Sequence, residues 1–350
     1  MWGQSPRLSS GRSPLACAEI RLFKGIRASL FLLLLHPLAA FSATTSGQIS
    51  SVGISPDGKF IAVAYEKGHD SFIYKIGVDT GSAARLTDAK TGVESSPSFS
   101  PDGKRIAFSY SPGNGEHSRI VIGNLDGSDL HPWSPSEASD FRPLFSPDNK
   151  TIIFARSGYY GSYSPIAQPY RHDWNFFAAG LDGANPRQLT NDHFYMVSDA
   201  SVSPDGKSFI FVSSEEHGDV IEVRSVEDPA KPMQILRPRF PKEPSLGQVF
   251  NCPNYMPDGK SILFLAASNG KSPWSGYDYD VYQMDIATGA VERLTTGNGY
   301  ATDLKVSADG KIAVFLKWRS NWQGTPNKSE LYLLDLQTRE LTPFKITGLN

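Results

Sequence analysis

The chain has 350 residues, of which 39% are hydrophobic and 20% are charged, the proportions of an ordinary globular protein rather than of a disordered one. Its net charge of -2 lacks the basic excess of nucleic-acid-binding domains, so we expect no nucleic-acid partner. The 31 glycines and 25 prolines indicate many turns, as an all-β fold requires.

The N-terminal segment, residues 1–42, differs in composition from the rest of the chain. Basic residues, among them Arg21 and Lys24, precede the apolar run 28–35, and the small residues Ala40 and Ser42 follow it. This order is typical of a secretory signal peptide that is cut after Ser42, and the apolar run is too short to span a bilayer. The sequence therefore predicts a signal peptide over 1–42, a mature chain over 43–350 with no transmembrane segment, and a periplasmic or secreted location. An amphipathic transit peptide is the alternative.

The predicted mature chain holds one cysteine, Cys252. One thiol cannot form an internal disulfide, so we expect the packing of sheets to provide the stability. No histidine motif accompanies Cys252, and we interpret it as a small buried apolar residue rather than a nucleophile.

A short phrase, Ser-Pro-Asp-Gly-Lys followed by an apolar run, recurs six times after the N-terminal segment. The third copy has Asn149 for glycine, the fifth has Met256 for serine and the sixth has Ala308 for proline. The copies are marked by the aspartates Asp57, Asp102, Asp148, Asp205, Asp258 and Asp309. Repeats of about 40–50 residues indicate a solenoid, a propeller or an array.

Each repeat predicts four short strands. In the second copy, residues 97–100 and 105–109 flank the Asp-Gly turn, and 119–125 and 130–133 supply the third and fourth strands. Six such sheets can bury both faces by packing radially around a channel. We therefore predict an all-β, six-bladed β-propeller of four-stranded antiparallel blades. Either face packing between blades one and six or the terminal residues 345–350 would close the ring.

The repeated phrase resembles the PD40, or TolB-like, group of WD40-like β-propellers over essentially the whole predicted mature chain. The resemblance implies the six-bladed fold and, because TolB binds partner proteins, a binding module for a protein or peptide. Similar propellers also occur in pectate-degrading lyases and beside prolyl-oligopeptidase-type hydrolases. TolB carries an α/β domain ahead of its propeller, and here the first predicted strand follows shortly after the predicted cut.

The two faces of the predicted propeller differ in their loops. The Asp-Gly turns and the third-to-fourth turns share one face, the lower face, and are short. The second-to-third loops and the loops between blades share the upper face, and they are long and rich in Tyr, Trp and Arg, residue types typical of binding hot spots. The alternative is that these rings only pack the loops onto the rim. The candidate binding residues of these loops are Tyr170, His172, Trp174, His193, Trp274 and Trp318.

Counting back six residues from each turn aspartate predicts the residues that line the channel. They are Ser51, Ser96, Arg142, Asp199, Cys252 and Asp303, with Glu94 and Asp140 two residues earlier in blades two and three. Four acids and one arginine predict a negative mouth that attracts a cationic peptide or a metal ion. The alternative is that Arg142 pairs with Asp140 or Asp199 and the polar ring only holds water.

Histidines recur in the upper loops. His69, His117, His172 and His217 fall in second-to-third loops and His193 in a loop between blades. Metal ligation needs two to four such groups around one ion, and loops of adjacent blades diverge, so we expect neither a metal site nor a cofactor.

Motifs of catalysis are also missing from the sequence, which has no Gly-x-Ser-x-Gly elbow, P-loop or dinucleotide fingerprint. We therefore predict an exported, monomeric binding module that uses its upper-face funnel, and no enzyme. The alternative is a carbohydrate-active lyase or hydrolase that uses the same funnel.

Overall fold

The computed structural model describes residues 47–88, 91–113, 117–135, 137, 139–162, 169–215, 218–241, 249–269, 278–296, 299–319 and 328–349. All of them belong to one structural unit, His36–Asn350. The predicted signal peptide, His217 and Trp274 lie outside these residues. No helix in the described part of the chain is long and apolar enough to cross a membrane.

The described residues form six four-stranded antiparallel sheets, and within each sheet the strands lie in chain order. Blade one comprises β1 Gln48–Ile54, β2 Phe60–Lys67, β3 Asp70–Gly77 and β4 Ala83–Arg85. Blade two comprises β5 Val93–Phe99, β6 Arg105–Ser111, β7 Arg119–Asn124 and β8 His131–Pro132. Blade three comprises β9 Asp140–Phe145, β10 Thr151–Gly161, β11 Tyr170–Gly180 and β12 Arg187–Gln188. Blade four comprises β13 Ser201–Val202, β14 Ser208–Glu215, β15 Gly218–Ser225 and β16 Gln234–Leu236. Blade five comprises β17 Phe250–Tyr255, β18 Ser261–Asn269, β19 Asp278–Asp285 and β20 Val291–Arg293. Blade six comprises β21 Tyr300–Val306, β22 Ile312–Arg319, β23 Lys328–Asp335 and β24 Leu341–Pro343. The predicted six-bladed, four-stranded propeller is confirmed.

The second strand of each blade is the centre of the hydrophobic core. Its residues are apolar on both faces because each face packs against a neighbouring blade, and residues 61–64 of β2 are fully buried. One core cluster joins Ile210 and Val212 of blade four to Ile262 and Phe264 of blade five. Each such side chain contributes about 1.5–3 kcal/mol on burial, so the blades stabilise one another through these interfaces.

The repeated phrase forms a hydrogen-bonded turn on the lower face. In blade four, Ser203 Oγ donates to Asp205 Oδ1 (2.6 Å) and accepts from Ser208 N (3.0 Å). Asp205 Oδ1 also accepts from Lys207 N (3.0 Å). The Ser203 hydroxyl is the main cause that holds the pKa of Asp205 below its usual value. Gly206 has a φ of 74°, the left-handed conformation that this turn requires.

Two departures from the repeated phrase provide contacts between neighbouring blades. Asn149 Nδ2 donates to Asp102 Oδ2 (2.7 Å), and Asn149 Oδ1 accepts from Arg105 Nη2 (2.9 Å) of blade two. Met256 packs against the core cluster that joins blades five and six. Glycine at 149 could not make these hydrogen bonds, and serine at 256 could not provide this apolar contact.

Both routes predicted for ring closure are present. Between the faces of blades one and six, Ser329 Oγ donates to Ile49 O (2.6 Å) and accepts from Ile49 N (3.0 Å). The chain after β24 then pairs with the outer edge of blade one, where Thr347 N donates to Gly81 O and Ala83 N donates to Thr347 O, each at 2.9 Å. The last residues therefore cover the edge of the first blade.

A glycine permits this approach of the C-terminal segment. Gly81 has a φ of 66°, and a Cβ at this position would lie 2.5 Å from Lys345 O. The junction between blades four and five has the same arrangement, because Arg239 N donates to Gly289 O (2.7 Å). The terminal segment thus repeats a contact that a linker makes elsewhere in the ring.

The third departure, Ala308, lies at this closing junction, where Ala308 N donates to Pro56 O (3.1 Å) of blade one. Proline occupies the equivalent position in the other five copies and has no N–H to donate. Restoring the repeated phrase with Ala308→Pro should therefore lower the free energy of unfolding by about 1 kcal/mol. Urea denaturation would measure the change.

Ala308→Ser is the matched control for this substitution, because it keeps the N–H and should leave the urea midpoint unchanged. Equal midpoints for Ala308→Pro and the unmodified chain would contradict the role assigned to this hydrogen bond.

Candidate functional site

The inner strands of the blades enclose a channel that contains a cavity of about 120 Å³. Four of the six channel positions predicted from the sequence line it, namely Ser96, Arg142, Asp199 and Asp303. Ser96, Arg142 and Asp303 have φ values of 53°, 56° and 57°, and each lies at a β-bulge of its inner strand. A bulge leaves its residue outside the ladder and redirects the side chain, which brings these residues to the channel.

The charges in this cavity form a paired cluster. Asp199 lies 3.4 Å from Arg142 Nε through Oδ1 and 2.8 Å from Lys305 Nζ through Oδ2. Burial by itself lowers the pKa of Lys305, but Asp199 and its other acidic neighbours outweigh burial and hold it above its usual value. Among the described lining residues, two cations, Arg142 and Lys305, therefore face two acids, Asp199 and Asp303.

The predicted negative mouth is thus corrected at this cavity. Lys305, which the six-residue count omits, adds a cation, and Arg142 pairs with Asp199, as one of the two sequence alternatives had it. Lys305 lies two residues after Asp303 on the same inner strand, so the charged residues that flank each counted position were the signal that could have indicated it.

Glu94 and Asp140 lie away from the cavity lining, and both are buried. Glu94 accepts a hydrogen bond from Ile73 N (3.0 Å) and another from the Thr87 hydroxyl, both in blade one. Both oxygens of Asp140 bind Arg156, at 2.6 and 2.9 Å. A bulge follows each acid and breaks the strand alternation that the sequence prediction assumed. Glu94 and Asp140 therefore do not line the cavity, and their carboxylates bind neighbouring residues of the protein instead.

Burial raises the pKa of Glu94 to about 7, above its ordinary value of 4.5. The folded chain therefore favours protonated Glu94, and this contribution to stability is complete below the ordinary pKa and is lost as the pH rises through about 7. Glu94→Gln keeps an oxygen acceptor and is neutral at every pH. We expect it to be more stable than the unmodified chain near pH 8, by on the order of 2 kcal/mol, with the gain shrinking towards acidic pH.

Thermal unfolding at a series of pH values would test this expectation. Glu137→Gln, which neutralises an exposed acid, is the control and should show no such pH-dependent gain. A gain for Glu94→Gln that does not vary with pH would refute the assignment.

The hairpin of β10 and β11 in blade three is the longest in the described part of the chain. Each strand has eleven residues, against six to nine for the second and third strands of the other blades. In the projecting part, Tyr159 pairs with His172 and Tyr160 with Arg171. Alternation places Tyr159 and His172 on one face of the hairpin and the other pair on the opposite face.

His172 is buried among tyrosine rings. Its ring centroid lies 3.7 Å from that of Tyr170, 5.2 Å from that of Tyr195 and 6.1 Å from that of Tyr159. The Tyr170 and Tyr195 hydroxyls hydrogen-bond to each other. Burial lowers the pKa of His172, so the imidazole is neutral near pH 7. The neutral ring packs against the rings of Tyr170 and Tyr195.

Three exposed tyrosines that the sequence candidates did not include lie on the hairpin and in the adjoining connection between β12 and β13. Tyr159, Tyr160 and Tyr195 are 45%, 36% and 43% exposed. The Arg171 guanidinium lies 5.3 Å from the Tyr160 ring centroid. The Tyr159-Tyr160 pair in a long predicted loop was the available signal, but the sequence did not indicate which rings face solvent.

A groove of about 430 Å³ runs beside the hairpin between blades two and three. Blade three contributes residues 156–160 to its lining, and blade two contributes His117. The complete lining is His117, Pro135, Glu137, Ser139, Arg156, Ser157, Gly158, Tyr159 and Tyr160. This volume falls within the range of about 300–1,000 Å³ that is usual for ligand sites.

The remaining aromatic and histidine candidates have separate positions. Trp174 is half-buried, and its ring packs edge-on to Phe141 with the centroids 5.5 Å apart. His193 is exposed, with Nδ1 2.5 Å from Asp173 Oδ1 at the base of the hairpin. Trp318 belongs to blade six, opposite blade three in the ring, where its indole N–H donates to Thr302 Oγ1 (2.9 Å).

The described histidines and cysteine form no cluster that could hold a metal ion. Within that part of the chain, no three His, Cys, Asp or Glu side chains converge. His69 and His117 are exposed on loops of different blades. Cys252 is 3% exposed, and burial raises the pKa of its thiol to about 12, so the interpretation of Cys252 as a buried apolar residue is confirmed.

Comparison with known proteins agrees with this geometry. The PD40 family model, described as TolB beta propeller domain, matches residues 4–164. The resemblance to PD40 propellers is confirmed. A curated relative, the Tol-Pal system protein TolB of Francisella tularensis subsp. tularensis, is 32% identical over 90 residues. That match covers 25% of this chain and 18% of the relative, so it spans less than a fifth of the relative's length.

Solved structures of other proteins have a similar architecture. A putative TolB from Agrobacterium tumefaciens superposes with a TM-score of 0.58 and 17% identity, over 77% of this chain and 86% of that one. An oligogalacturonate lyase from Vibrio parahaemolyticus gives a TM-score of 0.54 and 14% identity, over 88% of this chain and 81% of that one. At these identities the likeness shows the fold alone.

Proposed function

We propose that this chain is an exported, monomeric propeller that binds a protein or peptide partner through its upper face. The observation that carries the proposal is the exposure of tyrosines on the projecting hairpin and in the connection between β12 and β13 beside it. Four large apolar side chains are exposed among the described residues, and Tyr159, Tyr160 and Tyr195 are three of them. Tyrosine is enriched at binding hot spots because a rigid ring buries a large area at a small entropic cost.

The alternative, a carbohydrate-active lyase or hydrolase that works in the channel, has weaker support. The likeness to an oligogalacturonate lyase is one of fold. The channel cavity of about 120 Å³ is small beside the roughly 300 Å³ at which ligand pockets begin. Lys305 stays protonated beside Asp199, so its amine is not available as a general base. We therefore favour binding over catalysis.

The partner should depend on the exposed tyrosines. Formaldehyde crosslinking of the tagged chain in its native host, followed by affinity purification, would identify and quantify the captured protein. The double substitution Tyr159→Ala and Tyr195→Ala should reduce capture at least tenfold, because each lost anchor costs upwards of about 1 kcal/mol.

Met233→Ala is the matched control for that experiment. Met233 is 43% exposed, and it lies in the connection between β15 and β16 on the lower face. Its substitution should leave capture unchanged. Equal capture by the tyrosine variant and the unmodified chain would refute an upper-face partner site.

We propose further that residues 1–42 are a secretory signal and that the mature chain acts in the periplasm or outside the cell. The basic segment and the apolar run 28–35 support this assignment. Mass spectrometry of the N-terminal peptide should find a chain that begins at Ala43, and Ala40→Lys should block the cut. An intact Met1 in a soluble cytoplasmic fraction would contradict export.

A further inference from the structure

The channel cavity is lined by residues of all six blades, from Val52 in blade one to Lys305 in blade six. Arg142 of blade three and Lys305 both reach Asp199, which precedes blade four, at 3.4 and 2.8 Å. Charged side chains from separate blades therefore meet inside the channel. The Arg142 side chain is 35% exposed, so solvent reaches this cluster.

The two cations of the lining have N–H groups that no described residue accepts. Lys305 Nζ has three N–H donors, and among the described residues it donates only to Asp199 Oδ2 (2.8 Å). Arg142 Nη1 donates to Val197 O (2.7 Å), and Arg142 Nη2 has no hydrogen-bond partner in the described part of the chain. Donors inside a protein need acceptors, so the content of the cavity must supply them. The two oxygens of a carboxylate suit two such cations.

Hydrogen-bond acceptors line the same cavity. Asn254 is buried, and its Nδ2 donates to Cys252 O and to Leu304 O, each at 2.8 Å. These two carbonyl partners fix the orientation of the amide, and its Oδ1 accepts from no described residue. Asp303 adds a carboxylate to the lining. Asn254 and Asp303 therefore suit an N–H donor of a ligand, and an ammonium group above all.

The volume of the cavity restricts the size of its occupant. At about 120 Å³ it is too small for a saccharide, but it approaches the roughly 150 Å³ of an engineered protein cavity that holds benzene. Glycine, alanine and serine have about as many non-hydrogen atoms as benzene, whereas phenylalanine has about twice as many. The cavity therefore fits an amino acid with a small side chain and excludes one with an aromatic side chain.

We propose that this cavity binds a free α-amino acid with a small side chain, such as glycine, alanine or serine. The carboxylate of the ligand accepts hydrogen bonds from Lys305 and Arg142, and its ammonium group donates to Asn254 and Asp303. This site goes beyond the proposed function, because it uses the channel and none of the exposed tyrosines.

Isothermal titration calorimetry of the purified chain would test the site. L-Alanine should saturate it with a Kd below about 1 mM, an affinity within reach of so small a ligand. L-Lactate has a hydroxyl in place of the ammonium group, and alaninamide has an amide in place of the carboxylate, so each should bind at least tenfold more weakly. L-Phenylalanine is too large for the cavity and should not bind.

Asp303→Asn tests the position of the ammonium group with little change of shape. Asp303 has a φ of 57°, and asparagine tolerates this left-handed conformation. The substitution should weaken the binding of L-alanine about tenfold and leave that of L-lactate unchanged. Asp129→Asn is the matched control, because Asp129 has a similar φ of 55° but is exposed in the turn between β7 and β8. It should change neither ligand.

Three results would overturn the inference. If glycine, L-alanine and L-serine all fail to saturate the chain, the cavity holds water only. If L-lactate or alaninamide binds as tightly as L-alanine, the assigned contacts of the ammonium group or of the carboxylate are wrong. If L-phenylalanine binds equally well, the ligand lies outside the cavity.

This inference can fail independently of the proposed function. The double substitution Tyr159→Ala and Tyr195→Ala, which should reduce capture of a partner, should leave the affinity for L-alanine unchanged. A loss of L-alanine binding in that variant would move the amino-acid site from the channel to the tyrosines and refute the assignment made here.

Discussion

The structure depends on one constraint: each blade is a four-stranded sheet that is apolar on both faces, so it is stable only with a neighbour on each side. Ile61 of blade one and Phe264 of blade five are fully buried because adjacent blades cover them. A row of such sheets would leave two faces in water, and a closed ring leaves none. The junction between blades six and one must therefore be as well packed as the others, and Ser329 and the chain around Thr347 complete it.

Polar links reinforce the apolar interfaces at defined points. Glu94 of blade two bonds to blade one, Asn149 of blade three bonds to blade two, and Ala308 of blade six bonds to blade one. Two of these, Asn149 and Ala308, are positions where the repeated phrase is broken. The irregularities of the repeat therefore have a physical meaning, since each provides a contact between blades that the regular residue cannot make.

This frame leaves the upper face free to vary. Five of the six lower turns are held by their own Ser-Asp hydrogen bonds, whereas the hairpin of β10 and β11 extends beyond its counterparts and presents Tyr159 and Tyr160. His172 is buried beneath the rings and packs against Tyr170. The proposed binding surface is thus a local extension of one blade on an otherwise regular scaffold.

The sequence by itself determined the number of blades, their four strands and the position of most channel residues, because the Asp-Gly turn recurs with the strand alternation of each blade. The tertiary structure decided the rest. A bulge at Ser96 turns Glu94 away from the channel, and Lys305 enters it beside Asp199, so the cavity has paired charges where the sequence predicted a negative ring. Which tyrosines face water depends on the packing of separate loops around His172. Local periodicity specifies strands and turns, but the partners of a side chain are set by blades that are distant in sequence.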